Sequence, residues 1–370
     1  MTATASAAYR GQGAGGRGAS GATLLPAPCT LLLALLVGCG DGRTPLVVYS
    51  PHGRDLLSLF EERFEAAHPD IDLRYLDMGS QDALDRVRTE RANPQADVWF
   101  GGPSALFARA AAESLLTAYR PSWADHIAPH GWGAGDLFFA AYETPGVIYY
   151  NAAALRHPDS ADDGRRAAPS DWDDVLTPAW HDQVLIRDPI ASGTMRAIFG
   201  MIIQRGLRET GDTAWGFHWL RRLDANTREY ALNPSLLDQK LIRQEGLVSL
   251  WDLPDVLIAQ GTGAPVGFVL PTSGAPVIVD GIAIVRGSDH SEAAQRFVEW
   301  VGTVAAQLMA ARAVYRLPAR LDLPADSVPD WYIAVRTQMV VAEMDWEQLA
   351  DRGNDWMQWW DRHVRNKGAP

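Results

Sequence analysis

Four short stretches place hydroxyl groups and glycines where an apolar run ends and a helical pattern begins. They are Ser50-Pro51-His52-Gly53, Gly79-Ser80-Gln81, Gly101-Gly102-Pro103-Ser104 and Ser192-Gly193-Thr194. At such a junction the first helical turn offers backbone N–H groups without partners and the positive end of the helix dipole. Ser or Thr adds a hydroxyl donor, and Gly lets a ligand approach the main chain. The chemistry on offer is capture of an anion. The same serines also suit helix caps, worth about 1 kcal/mol each. Ser192-Gly193-Thr194 carries two hydroxyls around a glycine, more than one cap needs. The candidate ligand-binding residues are therefore Ser50, His52, Gly53, Ser80, Ser104, Ser192, Gly193 and Thr194. Trp251 suits stacking on an organic portion, or core packing. Asp252 or Asp280 suits an amine or hydroxyl, and Asp280 equally suits a hydrogen bond at a hinge.

Serine and histidine together also raise an exported hydrolase. That chemistry calls for a Gly-x-Ser-x-Gly elbow, which occurs nowhere in the chain. His126 and His130 stand four apart, but Pro129 and Gly131 interrupt any helix that would align them.

The elements that must position these residues alternate. Leu46–Tyr49 reads as a strand, and Leu56, Leu57, Phe60 and Phe64 follow at helical spacing. Ile71–Leu76 and Ala96–Phe100 read as strands, followed by helices over Ala83–Arg91 and Leu106–Leu115. Gly146–Asn151 is strand-like. Val184–Arg187 precedes a helix over Met195–Arg205, and Leu247–Trp251 precedes a short helix from Pro254. Pro265–Leu270 and Pro276–Val285 are strand runs, and helical pattern continues from Ala293 to about Ala311. Trp356, Trp359 and Trp360 lie on one face of a terminal helix. Strand–helix alternation predicts an α/β fold with mostly parallel sheets flanked by helices.

The formal net charge of -12 argues against a nucleic-acid partner, which needs clustered Lys and Arg. With 47% hydrophobic and 21% charged residues, the chain has the composition of a globular protein, and its length favours two lobes. Leu31–Val37 ends in Gly38-Cys39, with Arg10 and Arg17 upstream. This apolar run is too short to span a bilayer, which takes about twenty residues, and suits the core of a secretory signal. Leu36-Val37-Gly38-Cys39 resembles a bacterial lipobox, predicting lipidation of Cys39; cleavage by an ordinary secretory peptidase is the alternative. Residues 1–38 are then signal and 39–45 a tether. Export removes Cys29 and leaves Cys39 alone, so no intrachain disulfide or thiolate zinc site is expected.

From about Leu46 to Ala319 the chain resembles bacterial extracellular solute-binding proteins of the ferric-ion-binding type, the receptors of ABC importers. The resemblance rests on Val48-Tyr49-Ser50-Pro51-His52, Ala96–Phe100, Gly146–Asn151 and Asp280–Val285, in that order. It implies a type II two-lobed fold with two hinge crossovers. Lobe 1 is 46–146 plus 281–320, and lobe 2 is 147–280 plus 321–370. It also implies a non-enzymatic monomer without cofactor, periplasmic or envelope-bound, whose only membrane contact is a lipid anchor. Its partners are a small-molecule or ion ligand and an inner-membrane ABC permease, or alternatively a membrane sensor kinase.

Ferric binders of this type use a histidine, a glutamate and a consecutive tyrosine pair. Here His52 lies near the histidine position, Gly102 stands for the glutamate, and Leu250-Trp251 occupies the tyrosine-pair position. Tyr149-Tyr150 falls on the crossover strand, where neighbours face opposite ways. A ferric ion wants several oxygen ligands. Relatives that take phosphonates, phosphorylated sugars or other organic anions keep the serine- and glycine-rich strand ends. The expected ligand is thus a small organic or phosphorylated anion, with ferric iron, bound through His52, as the alternative.

Overall fold

A computed structural model of the chain describes residues 42–128 and 131–365; the leader, Cys39 and His130 lie outside the described residues. The first sheet starts with β1 (Thr44–Ser50), which pairs in parallel with β2 (Ile71–Asp77) and β3 (Val98–Pro103). Helix α1 (Gly53–Ala67) buries Leu56, Leu57, Phe60 and Phe64, the stripe expected from their spacing. Helices α2 (Ser80–Thr89) and α3 (Ser104–Ala112) follow β2 and β3. Because the three strands are parallel, their carboxyl ends and the helix starts behind them lie on one edge of the sheet.

A two-residue strand, β4 (Leu116–Thr117), precedes the longest strand, β5 (Phe139–Asn151). The sequence pattern reveals only its second half, since Thr144-Pro145-Gly146 reads as a break. In the fold β5 runs through both sheets. Residues 139–145 pair with β12 (Val277–Val285), while 146–151 pair with β10 (Val248–Asp252) and β11 (Val266–Val269). At the crossing Gly146 donates its N–H to Pro276 O at 2.9 Å. A β-carbon built on Gly146 would lie 2.9 Å from Pro276 Cγ, so only glycine fits where the two crossovers touch.

The short strands β6 (Leu155–Arg156) and β7 (Arg166–Ala167) pair with each other. The second sheet continues with β8 (Val184–Arg187), parallel to β10 and to β9 (Thr227–Ala231). It carries α4 (Gly193–Thr210), α5 (Ala214–Asn226), α6 (Pro234–Ile242) and α7 (Leu253–Gly261). Chain continuity through β5 and through the β11–β12 connection therefore joins two α/β lobes.

The first sheet has two apolar clusters, one of them around Tyr49, Trp99 and Phe107, and the second sheet has its own core. Leu46, Phe60, Phe100 and Phe297 belong to the other cluster of the first sheet, and Ile148, Leu185, Phe199 and Trp251 to the second core. The helical pattern from Ala293 to about Ala311 is formed by two helices, α8 (Ser291–Val301) and α9 (Val304–Val314). Gly302 separates them: a β-carbon there would stand 2.0 Å from the Trp123 indole. Thr303 then restarts the helix, its hydroxyl accepting from Ala306 N at 3.2 Å.

After β13 (Leu317–Pro318), α10 (Asp330–Gln338) and α11 (Trp346–His363) close the chain. Trp356 and Trp360 of α11 are buried in the second core, and α11 also contacts α3 of the first lobe.

Candidate functional site

The carboxyl edges of the two sheets border a cleft of about 860 Å³. The first lobe contributes the turns after β1, β2 and β3, and the second contributes the turns after β8, β9 and β10. Thr144, Ile278 and Asp280 line it at the crossovers. Of the sequence candidates, His52, Gly53, Ser80, Ser192, Gly193, Thr194, Trp251 and Asp280 line this one cleft. Ser50 and Ser104 are not among the lining residues. Ser50 is buried and its hydroxyl accepts from His52 N at 3.2 Å, which shapes the turn. Ser104 opens α3 behind Pro103.

Ser192 caps the 18-residue α4, its Oγ accepting from Met195 N at 3.2 Å. Thr194 Oγ1 donates to Asp252 Oδ2 at 3.4 Å. The start of α4 faces the start of α2. A β-carbon built on Gly193 would lie 2.8 Å from Pro103 Cδ and 2.9 Å from Ser80 Oγ, and one on Gly79 would lie 3.0 Å from Ala191 O. Two helix N-termini, each equivalent to about half a positive charge, therefore meet across the cleft.

His52 is packed rather than presented. Its ring meets Phe100 edge-on, with centroids 4.7 Å apart, and Nε2 would stand 2.4 Å from a β-carbon on Gly101. Burial, and then the Arg316 guanidinium, hold its pKa well below the ordinary value, so the ring is neutral. Asp280 serves the crossover: Oδ1 accepts from Gly102 N at 3.0 Å and Oδ2 from the Thr144 hydroxyl. Burial raises its pKa. Trp251 is buried, and its Nε1 donates to Asp255 Oδ2 at 2.9 Å.

Sequence reading missed the other charged lining residues. Asp238, on the unread helix α6, is pushed up to about 7 by burial and then by Asp255. Asp252, by contrast, was a sequence candidate and also lines the cleft; it caps α7, and its pKa is raised by burial and then by Asp255. Arg187 and Arg316 line the cleft and are both buried. Arg187 was legible only as the end of a strand, and Arg316 sits in a loop behind α9 with no motif around it.

Iron-binding chemistry finds little here. Gly102 has φ of 101°, a conformation L residues rarely adopt, and a β-carbon on it would lie 3.0 Å from Ser80 Cβ. A glutamate is sterically disfavoured at that position. Among the described residues no group of three or more His, Cys, Asp or Glu side chains is arranged to hold a metal ion. Nor is any helix among them long and apolar enough to cross a membrane.

Residues 61–335 match the bacterial extracellular solute-binding protein family. An ABC transporter periplasmic-binding protein of Sinorhizobium fredii is 29% identical over 330 residues, covering 86% of each chain. A periplasmic protein of Salmonella typhimurium named for 2-aminoethylphosphonate binding is 25% identical over 264 residues, 69% of this chain and 72% of the relative. Among solved structures, a periplasmic binding protein of Actinobacillus pleuropneumoniae with bound fructose-6-phosphate superposes with a TM-score of 0.75 at 23% identity, over 88% of this chain and 99% of that one. The ferric binding protein of Campylobacter jejuni gives a TM-score of 0.70 at 14% identity, over 86% and 98%.

Proposed function

The chain belongs to the bacterial extracellular solute-binding protein family, and from that premise we propose that it captures a small organic or phosphorylated anion in its interlobe cleft. It is the substrate-binding protein of an ABC transporter, a binding component and not an enzyme. The observation that carries the anion reading is the meeting of α2 and α4 at Ser80 and Gly193. A helix start favours negative charge beside it; Asp82 stands in the first turn of α2, whereas the first turn of α4 carries no acidic residue. Ser80, Ser192 and Thr194 add hydroxyls around that point, and Trp251, Asp252 and Asp280 offer an apolar face and polar edges to the remainder of the ligand.

In this reading 46–146 plus 281–320 closes on 147–280 plus 321–370 about the crossovers, and the permease recognises the closed form. Cys39 carries the lipid that holds the receptor, as a monomer, at the membrane. The alternative cargo, ferric iron, finds a packed histidine and a glycine with positive φ where its ligands would be needed.

Thermal shift of the purified mature protein with 2-aminoethylphosphonate, fructose 6-phosphate, inorganic phosphate and ferric citrate tests the proposal. A rise in melting temperature with a phosphorus oxyanion supports it. A response to ferric citrate alone, with a coloured protein, overturns it. Mass spectrometry of the mature N-terminus tests the anchor: a diacylglyceryl-modified Cys39 is expected, and an unmodified terminus refutes it.

A further inference from the structure

Three arginines among the described residues are buried: Arg187, Arg316 and Arg320, at 7%, 5% and 9% exposure. Arg320 lies outside the cleft and is neutralised by Asp322, Nε to Oδ1 at 2.6 Å. The two that line the cleft are not neutralised in this way. Arg316 donates from Nη2 to His52 O at 2.8 Å, and its buried Nε–H has no partner. Arg187 makes long bonds of 3.3 Å from Nη1 to the carbonyls of Asp188 and Ala231, and its buried Nε–H is likewise without a partner. Asp252 and Asp280 feel the field of Arg316, and Asp82 and Asp188 that of Arg187, yet none is in ion-pair contact with it.

A guanidinium has five N–H donors and does not lose its charge in proteins. Burying one without an ion-pair contact is unfavourable, so two such groups lining one cleft point to a ligand that supplies that contact. The two groups also stand on different lobes. Arg187 ends β8 of the second sheet, and Arg316 precedes β13, which pairs with the first half of β5.

We propose that Arg187 and Arg316 are the charge anchors of the cleft, one on each lobe, and that together they select a ligand bearing two negative charges, a phosphonate or phosphate monoester dianion. This rests on the anion reading above and names its substrate class. Engaging both guanidinium groups requires both lobes, so charge recognition and closure become one event. Arg91, exposed and outside the cleft lining, serves as a control for loss of a surface arginine.

The test uses 2-aminoethylphosphonate or fructose 6-phosphate, whichever raises the melting temperature, against its monoanionic counterpart, 2-aminoethanesulfonate or fructose 6-sulfate, by calorimetry at pH 8. The wild-type protein should favour the dianion at least about tenfold. Arg187→Gln and Arg316→Gln should each weaken dianion binding by about 30-fold and erase most of that preference. Arg91→Gln should stay within about threefold. Gln variants that keep both affinity and preference overturn the assignment. So does a loss of affinity with the preference unchanged, which marks a structural role. If the wild-type protein binds no phosphorus oxyanion, the anion reading itself fails and this assignment with it.

Discussion

Ser80 and Gly193 touch across the cleft, from the first turns of α2 and α4, at a separation that admits no β-carbon on Gly193. The contact brings together two lobes that share β5 and the β11–β12 connection. It also places Pro103 against the same glycine, so a side chain at 193 would push on two neighbours at once.

Gly193→Val should therefore act as a wedge. The helix itself loses little, because the position is helical and its N–H remains. Binding of an oxyanion probe should weaken at least about tenfold while far-ultraviolet circular dichroism stays unchanged. Small-angle scattering with saturating ligand should show a larger radius of gyration than wild type. An unchanged affinity and radius would mean that this contact does not belong to the bound form.

Ser192 and Thr194 separate capping from binding. Ser192→Ala removes the hydroxyl that accepts from Met195 N and should lower stability by about 1 kcal/mol in a urea titration. Thr194→Ala breaks only a 3.4 Å bond to Asp252 and should barely move stability. The double variant should lose more ligand affinity than its loss of stability accounts for. If the thermal response to the best oxyanion is the same as wild type, neither hydroxyl touches the ligand.

Burial raises Asp238 to about 7, and its ordinary value is 3.8. The folded state thus holds the proton more tightly than the unfolded chain. The resulting stability is complete below about pH 4 and is lost as pH rises through about 7. Asp238→Asn keeps the size of the side chain and removes this loss. It should be more stable than wild type at pH 8, by about 1–3 kcal/mol, with the difference shrinking toward pH 4. Parallel urea titrations at the two pH values check it; a constant offset would place the titration elsewhere.

Much of this arrangement is readable from residue order alone. The helix at α1 follows from the spacing of Leu56, Phe60 and Phe64, and β12 follows from its run of β-branched residues. The four hydroxyl-bearing junctions are found because strand ends and helix starts leave local signals. Gly302 and Gly146 are different. Their meaning lies in Trp123 and Pro276, far away in sequence, so a helix break and a strand crossing look like ordinary positions until the chain is folded. Arg187 and Arg316 are hidden for the same reason. A guanidinium without a counter-ion is a property of surroundings, and no spacing rule reports it.

Trp360 tests how far the terminal helix supports the second lobe. Its ring meets Phe199 at 5.5 Å and Tyr230 at 5.2 Å, and Arg365 lies 4.8 Å above it. Trp360→Ala should reduce stability by about 3–5 kcal/mol, because the pocket is walled by β9 and α4 and cannot collapse freely. A loss below about 1 kcal/mol would mean that α11 is a loosely docked appendage.

Gly102 bears on the choice between anion and iron. Its φ of 101° suits glycine, its N–H is held by Asp280, and a β-carbon would press on Ser80. Gly102→Ala should therefore cost about 1–3 kcal/mol from backbone strain and crowding. Gly102→Glu should cost at least as much and should not create a ferric site, because His52 keeps Nε2 against Gly101. Urea titration measures the first effect, and visible absorbance after incubation with ferric citrate measures the second. A Gly102→Glu variant of wild-type stability that turns coloured would show that the turn after β3 can rearrange, and that iron remains within reach of this cleft.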